Sequence, residues 1–342
     1  MSYQLRMERE KDILRCLVDS HVSTASPVGS QWIARRSVLG ISPATIRNTM
    51  GELEEAGYIS RPHASAGRIP TDKGYRYYVD TLIRPVPLSP TEKGRLRREV
   101  QGEWSSVQEV LDHTAHVLGI VCRELGVTLA PRLYAGLFQR LELIPVGDRK
   151  VLLVLMITSG LVRTIVAELD SDIPPPVLAE TCRVLNERLS GCSLQEVKRH
   201  LDERLRDAPR AHPKVVQLFI RSTDHLFDFR ENEQVHLGGT TQIVTQPEFV
   251  DHEKLSRLLE FLDQKQVLVQ WLQSREHPDG VMVTIGHEHP RDEIHACSAV
   301  TSSYRIGGVV GIIGVIGPTR MPYARLMSIV GYTSQLLSTM FV

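Results

Sequence analysis

The chain has 342 residues, 42% hydrophobic and 23% charged, with 40 basic and 40 acidic side chains and no net charge. This is the composition of a globular protein of two or three domains, and it excludes a globally basic field, so any nucleic-acid contact must rest on a local patch. Five cysteines (Cys16, Cys122, Cys182, Cys192, Cys297) make no C-x-x-C pair, which predicts reduced thiols in a cytoplasmic protein. The polar stretch Met1 to Glu10 predicts no signal peptide. The longest apolar run, Gly307 to Gly317, is too short to span a bilayer.

In chain order, Ile13, Leu14, Leu17 and Val18 predict a first helix with one buried face. After a turn at residues 23–27, Val28-Gly29-Ser30 leads into a short second helix, with Trp32 and Ile33 apolar and Arg35 and Arg36 outside. Leu39-Gly40-Ile41 is a tight turn. Ser42 is then an N-cap, Pro43 suits the first helical position, and Ile46, Met50 and Leu53 make an apolar stripe. Thr45, Arg47, Asn48 and Thr49 lie opposite, and Gly57 ends the helix. Arg can bond guanine in two places and Asn adenine, and the Thr methyl can touch thymine, so this face suits the major groove. An ordinary amphipathic helix with a solvated face has the same pattern.

Residues 58–61 and 68–71 read as strands around a loop of small residues, and Thr71 or Asp72 caps a further helix with Tyr75, Val79 and Leu82 inward. Three helices and a hairpin give the winged-helix order. Arg61, His63 and Arg68 fall on the wing, where they can meet phosphates or a minor groove. From Arg35 to Arg76 there are seven basic residues and four acidic ones. The acids Glu52, Glu54 and Glu55 sit on the later turns of the third helix, which predicts one basic surface away from them.

Pro85-Val86-Pro87-Leu88-Ser89-Pro90 marks a boundary. Thr91 to Leu125 reads as helical, with Val107, Val110, Leu111, Val117, Leu118 and Val121 buried. The period then changes to strands over 137–144, 151–157 and 162–169, with turns at Gly147-Asp148 and Ser159-Gly160. Helices follow over 177–189, 194–205 and 215–229. Leu218, Phe219, Leu226 and Phe227 suit either a subunit interface or a domain core.

The last third predicts strands over 235–244, 267–272, 281–285, 296–304 and 309–316, with helices over 253–262 and 323–340. These make a five-stranded antiparallel sheet with flanking helices. Gly308, Gly311, Gly314 and Gly317 recur every third residue. No Lys-Ser/Thr follows them, so they predict close packing of a strand under a helix and not a phosphate loop. His287 and His289 share one side of a strand, as do His295 and Cys297, a spacing that a metal or redox site can use but that is not specific to one. No metal or cofactor is assigned. No nucleophile, base and orienting group can be placed in one site, so no catalytic residue is assigned either.

Pro27-Val28-Gly29-Ser30, Ser42-Pro43-Ala44-Thr45-Ile46-Arg47-Asn48, Ser65-Ala66-Gly67-Arg68-Ile69-Pro70-Thr71 with Lys73-Gly74-Tyr75-Arg76, and Gly314-Val315-Ile316-Gly317-Pro318-Thr319-Arg320-Met321 with Tyr323 resemble the HrcA family of heat-inducible transcription repressors. Thr49, Trp32 and Pro322 depart from its pattern. The resemblance implies a multidomain α+β protein: a winged helix-turn-helix DNA-binding domain over 1–84, a linker and the start of a connecting helix over 85–102, a GAF-like domain from 103–136 and 233–342, and an inserted α+β dimerisation domain over 137–232. It implies a homodimeric repressor of chaperone operons. The dimer binds double-stranded DNA at an inverted-repeat operator, and the chaperonin promotes its DNA-binding form. Arg47 and Asn48 are assigned to bases, Ser42, Ala44 and Thr45 to positioning the helix, and Arg61, His63 and Arg68 to the wing. A regulator gated by a small molecule in the GAF-like domain, and an enzyme that uses the winged helix only for protein contacts, are the alternatives.

Overall fold

The computed structural model describes residues 2–36, 40–63, 66–102, 104, 106–131, 136–147, 149–158, 162–205, 209–227, 235–276, 280–306 and 309–340. The expected features at Leu39, Ser65, Asp148, Ser159-Gly160, Gly308 and residues 228–229 lie outside them.

Three helices open the chain: α1 (Ser2–Thr24), α2 (Ser30–Arg36) and α3 (Pro43–Glu55). Ile13, Leu14, Leu17 and Val18 of α1 are buried, as are Ile33, Ile46, Met50 and Leu53. Trp32 is not core: it is 40% exposed, its indole N–H donates to Ser20 Oγ (3.1 Å), and Arg36 stacks on its ring. Two-residue strands β1 (Ile59–Ser60) and β2 (Ile69–Pro70) pair antiparallel, and α4 (Asp72–Tyr77) runs into a single π-turn over Tyr78–Leu82.

The one helix expected over 91–125 is two. α5 (Pro90–Val100) begins with a capping box between Ser89 and Glu92, and α6 (Val107–Cys122) starts at an Ser106 cap. Trp104 donates its ring N–H to the Val100 carbonyl at the end of α5. Arg123, left-handed at φ 57°, stops α6, and Leu125–Leu129 is then strand β3.

Strands β4 (Phe138–Gly147), β5 (Lys150–Ile157) and β6 (Val162–Glu168) form an antiparallel sheet in that order. Helices α7 (Pro175–Leu189), α8 (Leu194–Leu205) and α9 (Pro213–Leu226) follow. Phe219, Leu226 and Phe227 are buried here, with the rings of Phe219 and Phe227 in edge contact at 6.2 Å, so these three are domain core. Leu218 is half-buried. On α7, Asn186 takes both backbone groups of Leu141 on edge strand β4: its Oδ1 accepts from the N–H (2.7 Å) and its Nδ2 donates to the carbonyl (2.8 Å). At this residue the edge is covered by a side chain and not open to a foreign strand.

The remainder comprises β7 (Val235–Gly238), α10 (Thr240–Val244), a 3-10 turn over Pro247–Val250, α11 (His252–Asp263), α12 (Lys265–Gln273), β8 (Val281–Ile285), β9 (Cys297–Ile306), β10 (Val309–Pro318) and α13 (Tyr323–Met340). The five-stranded sheet has the order β7-β3-β10-β9-β8, with β8 antiparallel to β9. The sheet therefore takes β3 in place of the strand expected at 267–272, which is helical, and the strand expected over 235–244 ends at 238. Gly314 meets the Val300 carbonyl of neighbouring β9, and Gly317 meets the Glu124 carboxyl, so these glycines admit a strand and a buried acid, not a helix.

By internal packing the chain forms two compact units. One comprises 1–128, 235–303 and 312–336; the other comprises 129–234, 304–311 and 337–342. Among the described residues, no helix is long and apolar enough to cross a membrane.

Candidate nucleic-acid interface

Helix α3 is built as its sequence requires. Ser42 is extended (φ −66°, ψ 150°) and its Oγ accepts from the Thr45 N–H at 3.2 Å. Such a cap is worth about 1 kcal/mol. Burial of Ile46, Met50 and Leu53 turns Ser42, Ala44, Arg47 and Asn48 to solvent, with Thr45 half-buried. Thr49 is not on that face: it is buried and its hydroxyl donates to the Thr45 carbonyl at 3.2 Å. The exposed face of α3 is thus Ala44, Arg47 and Asn48 beside the cap.

The hairpin is locked to the start of α2. Val28 and Arg68 exchange two backbone hydrogen bonds of 2.8 Å, which brings the first and third motifs of the sequence together. Gly67 is required there, because a Cβ would stand 2.6 Å from the Val28 carbonyl carbon. Between α3 and the hairpin lies an open recess of about 350 Å³, whose lining includes Ser30, Arg47, Arg61 and Arg68. His63 is exposed on the loop.

The basic surface is not free of acid. Glu54 Oε2 accepts from Arg68 Nε (2.8 Å), pairs with Arg68 Nη2 (2.7 Å), and lies 3.6 Å from Arg61 Nη2. The Arg68 side chain is only 12% exposed, whereas that of Arg61 is 40% exposed. The sequence places Glu54 away from the basic surface and Ser30 only in the lead into α2; the structure sets Glu54 against Arg61 and Arg68, and Ser30 in the recess. Glu54 and Arg68 are fourteen residues apart, so only the hairpin's return path brings them together.

The Lys73-Gly74-Tyr75-Arg76 motif is structural. Lys73 donates to the Ala56 carbonyl (2.8 Å), where a cation suits the negative end of α3. Gly74 passes under Tyr58, whose carbonyl would be 2.0 Å from a Cβ. Tyr75 is buried against the Tyr323 ring, with its hydroxyl 2.8 Å from His21 Nδ1. Burial and Arg320 lower the His21 pKa to about 4, so the ring is neutral at pH 7. Arg76 donates to Glu288 Oε1 and to the Val283 carbonyl, both at 2.7 Å. Asp72 Oδ2 accepts from the His287 N–H (2.9 Å) and lies 2.7 Å from its Nδ1. Arg320 donates to the Val22 carbonyl at the end of α1 (2.9 Å) while paired with Glu248 (2.6 Å).

Of the histidine–cysteine set, the rings of His287 and His295 lie 4.5 Å apart, but the four side chains do not meet at one point. Residues 286–288 form a 3-10 turn, not a strand. His287 is spent on Asp72, His295 Nε2 faces the His289 carbonyl (3.0 Å), and His289 is buried against Trp271. Burial pushes the Cys297 thiol up to about 12. Among the described residues no three His, Cys, Asp or Glu side chains are grouped to hold a metal ion.

A family model described as the HrcA protein C-terminal domain matches residues 108–327. The heat-inducible transcription repressor HrcA of Chlorobium chlorochromatii (strain CaD3) is 39% identical, with 99% of this chain and 98% of that protein aligned. That of Halalkalibacterium halodurans is 36% identical, covering 97% and 96%. A crystal structure of a hypothetical protein at 24% identity shares the fold, with a TM-score of 0.61 over 97% of this chain and 98% of that one. With the model matching well over half of the residues and the relatives aligned from end to end, the chain belongs to the HrcA family of heat-inducible transcription repressors, a family of regulators and not of enzymes.

Proposed function

We infer that residues 1–84 are a winged-helix domain that binds an inverted-repeat operator, and that the chain acts in the cytoplasm as a homodimeric repressor of chaperone operons. The observation that carries this is the solvent-facing row Ala44, Arg47 and Asn48 on α3, flanked by Arg61 across the recess. A helix N-terminus with such a row fits a major groove, and two of them on a two-fold axis match a palindrome. Ser42 and Thr45 set the helix start, with Arg47 and Asn48 on bases and Arg61 and His63 on the backbone beside it. Arg68, held by Glu54, braces the hairpin more than it reaches outward. Binding to an inverted-repeat duplex and to a scrambled one across a salt series tests this. Arg47→Ala is expected to lose about 1–3 kcal/mol of discrimination between them. Equal binding of both duplexes by the parent chain, with chaperonin present, would sink the operator assignment.

The GAF-like domain is taken as 103–136 with 233–342, and the insertion over 137–232 as the dimerisation module. The outer face of the β4-β5-β6 sheet supports the latter. Ile144, Leu152 and Val166 lie side by side across the three strands, and Ile144, Val162 and Val166 are 41%, 54% and 61% exposed. Burying such a face is favourable at roughly 25 cal/mol per Å². Val166→Lys is expected to shift the protein from dimer to monomer in sedimentation equilibrium; an unchanged mass would rule this face out. Chaperonin modulation is carried over from the family resemblance: a chaperonin that favours the DNA-binding conformation shifts its population. Equal recovery of operator binding after refolding with and without chaperonin would count against it.

A further inference from the structure

We propose that Glu54 is a positioning residue of operator recognition, which holds Arg68, lies beside Arg61, and offsets positive charge behind the DNA-facing surface. The proposal rests on the operator assignment above.

Glu54 stands on the last turn of α3, the same helix that carries Arg47 and Asn48. Its single oxygen Oε2 takes two nitrogens of Arg68 and lies within 3.6 Å of Arg61. Arg68 in turn is fixed through its backbone to Val28, two residues before α2 begins at Ser30. The recognition helix, the hairpin and α2 are therefore tied at one point, and the recess between them opens on Arg47, Arg61 and Ser30. A planar guanidinium held through two nitrogens has a fixed orientation, unlike a lone cation on a flexible stem.

The carboxylate has a second effect. Phosphate attraction is independent of sequence, and each neutralised phosphate adds about 0.9 to the slope of log K against log salt. An acid that occupies Arg68 withdraws one charge from that attraction. It lowers binding to any duplex, and it leaves the bases read by Arg47 and Asn48 to carry a larger share of the selection.

The test uses the full chain with Glu54→Gln and Glu54→Asp, the inverted-repeat and scrambled duplexes, a salt series, and a thermal melt of each variant. Glu54→Gln is expected to bind the scrambled duplex several-fold more tightly at low salt, with a slope steeper by about one. Its preference for the operator should fall several-fold. Glu54→Asp keeps the charge and should keep the parent slope, even if the shorter side chain lowers the melting temperature. Equal weakening of both duplexes by Glu54→Gln with the slope unchanged would reduce Glu54 to a brace and overturn the proposal alone. A parent chain that does not distinguish the duplexes overturns the operator assignment, and this proposal with it.

Discussion

Glu124→Gln is expected to stabilise the protein at pH 7 by at most about 3 kcal/mol, less the cost of burying its own amide, and to flatten the fall in melting temperature that burial of this carboxyl predicts for the parent chain between pH 5 and pH 9. Glu124 is 3% exposed at the junction of α6 and β3, and its Oε2 has no hydrogen-bond partner. It presses on Gly317, where a Cβ would be 2.2 Å from that oxygen. Burial pushes its carboxyl up to about 9, against the pull of Arg320, with Glu248 adding to the rise. Cys122 and Cys297, both buried nearby, are also pushed up to about 12 by their own burial. The sign follows directly. The folded state binds this proton more tightly than the unfolded chain, so the native fold is best favoured below the unfolded value near 4.5 and loses ground as pH rises toward 9. Glutamine keeps the shape and has no proton to lose. Thermal melts of both chains at pH 5, 7 and 9 decide it; parallel pH profiles would show that the acid is hydrated or paired in solution.

Gly74→Ala should destabilise the fold by about 3 kcal/mol or more, the upper range for forcing a methyl into a packed site. The methyl would enter at 2.0 Å from the Tyr58 carbonyl oxygen, and the backbone cannot give way cheaply. That carbonyl already accepts from Thr71 (3.0 Å), whose hydroxyl caps α4 and donates to Gly57 (2.7 Å). Displacing it breaks the seam between α3 and α4 that seats the hairpin. Operator binding should disappear at a temperature where the parent still binds. Retained binding and an unchanged melt would mean that α4 can slide without cost.

What the sequence revealed was what local chemistry specifies. The Ser42 cap, the Pro43 start and the Ile46-Met50-Leu53 stripe are neighbours in sequence as well as in space, so α3 and its exposed face were legible. Residues 267–272 were not, because Leu268, Trp271 and Leu272 satisfy a helical spacing while the run as a whole is apolar enough for a strand. The end of α6 was hidden for another reason: Arg123 takes a left-handed conformation that glycine or asparagine ordinarily signals. Thr49 misled because a threonine can satisfy its hydroxyl within its own helix and be buried. Glu54 was set apart from the basic groups because its partners come from a hairpin whose return register no local pattern states.

The contacts of α4 and α1 with the five-stranded-sheet region have a consequence for how heat is felt. Arg76 with Glu288, Asp72 with His287, Arg320 with the end of α1, and the Tyr75–Tyr323 pair bind the N-terminal helices to residues more than two hundred positions away. Segments tied by this many buried or paired groups open together and exchange their amide protons as one cooperative block. In hydrogen exchange, α1 and α4 should share one opening free energy with residues 283–288 and 320–323, and the unpartnered buried acid Glu124 should lower it for the whole block. An opening anywhere in that block, which heating promotes, then loosens the N-terminal helices with it.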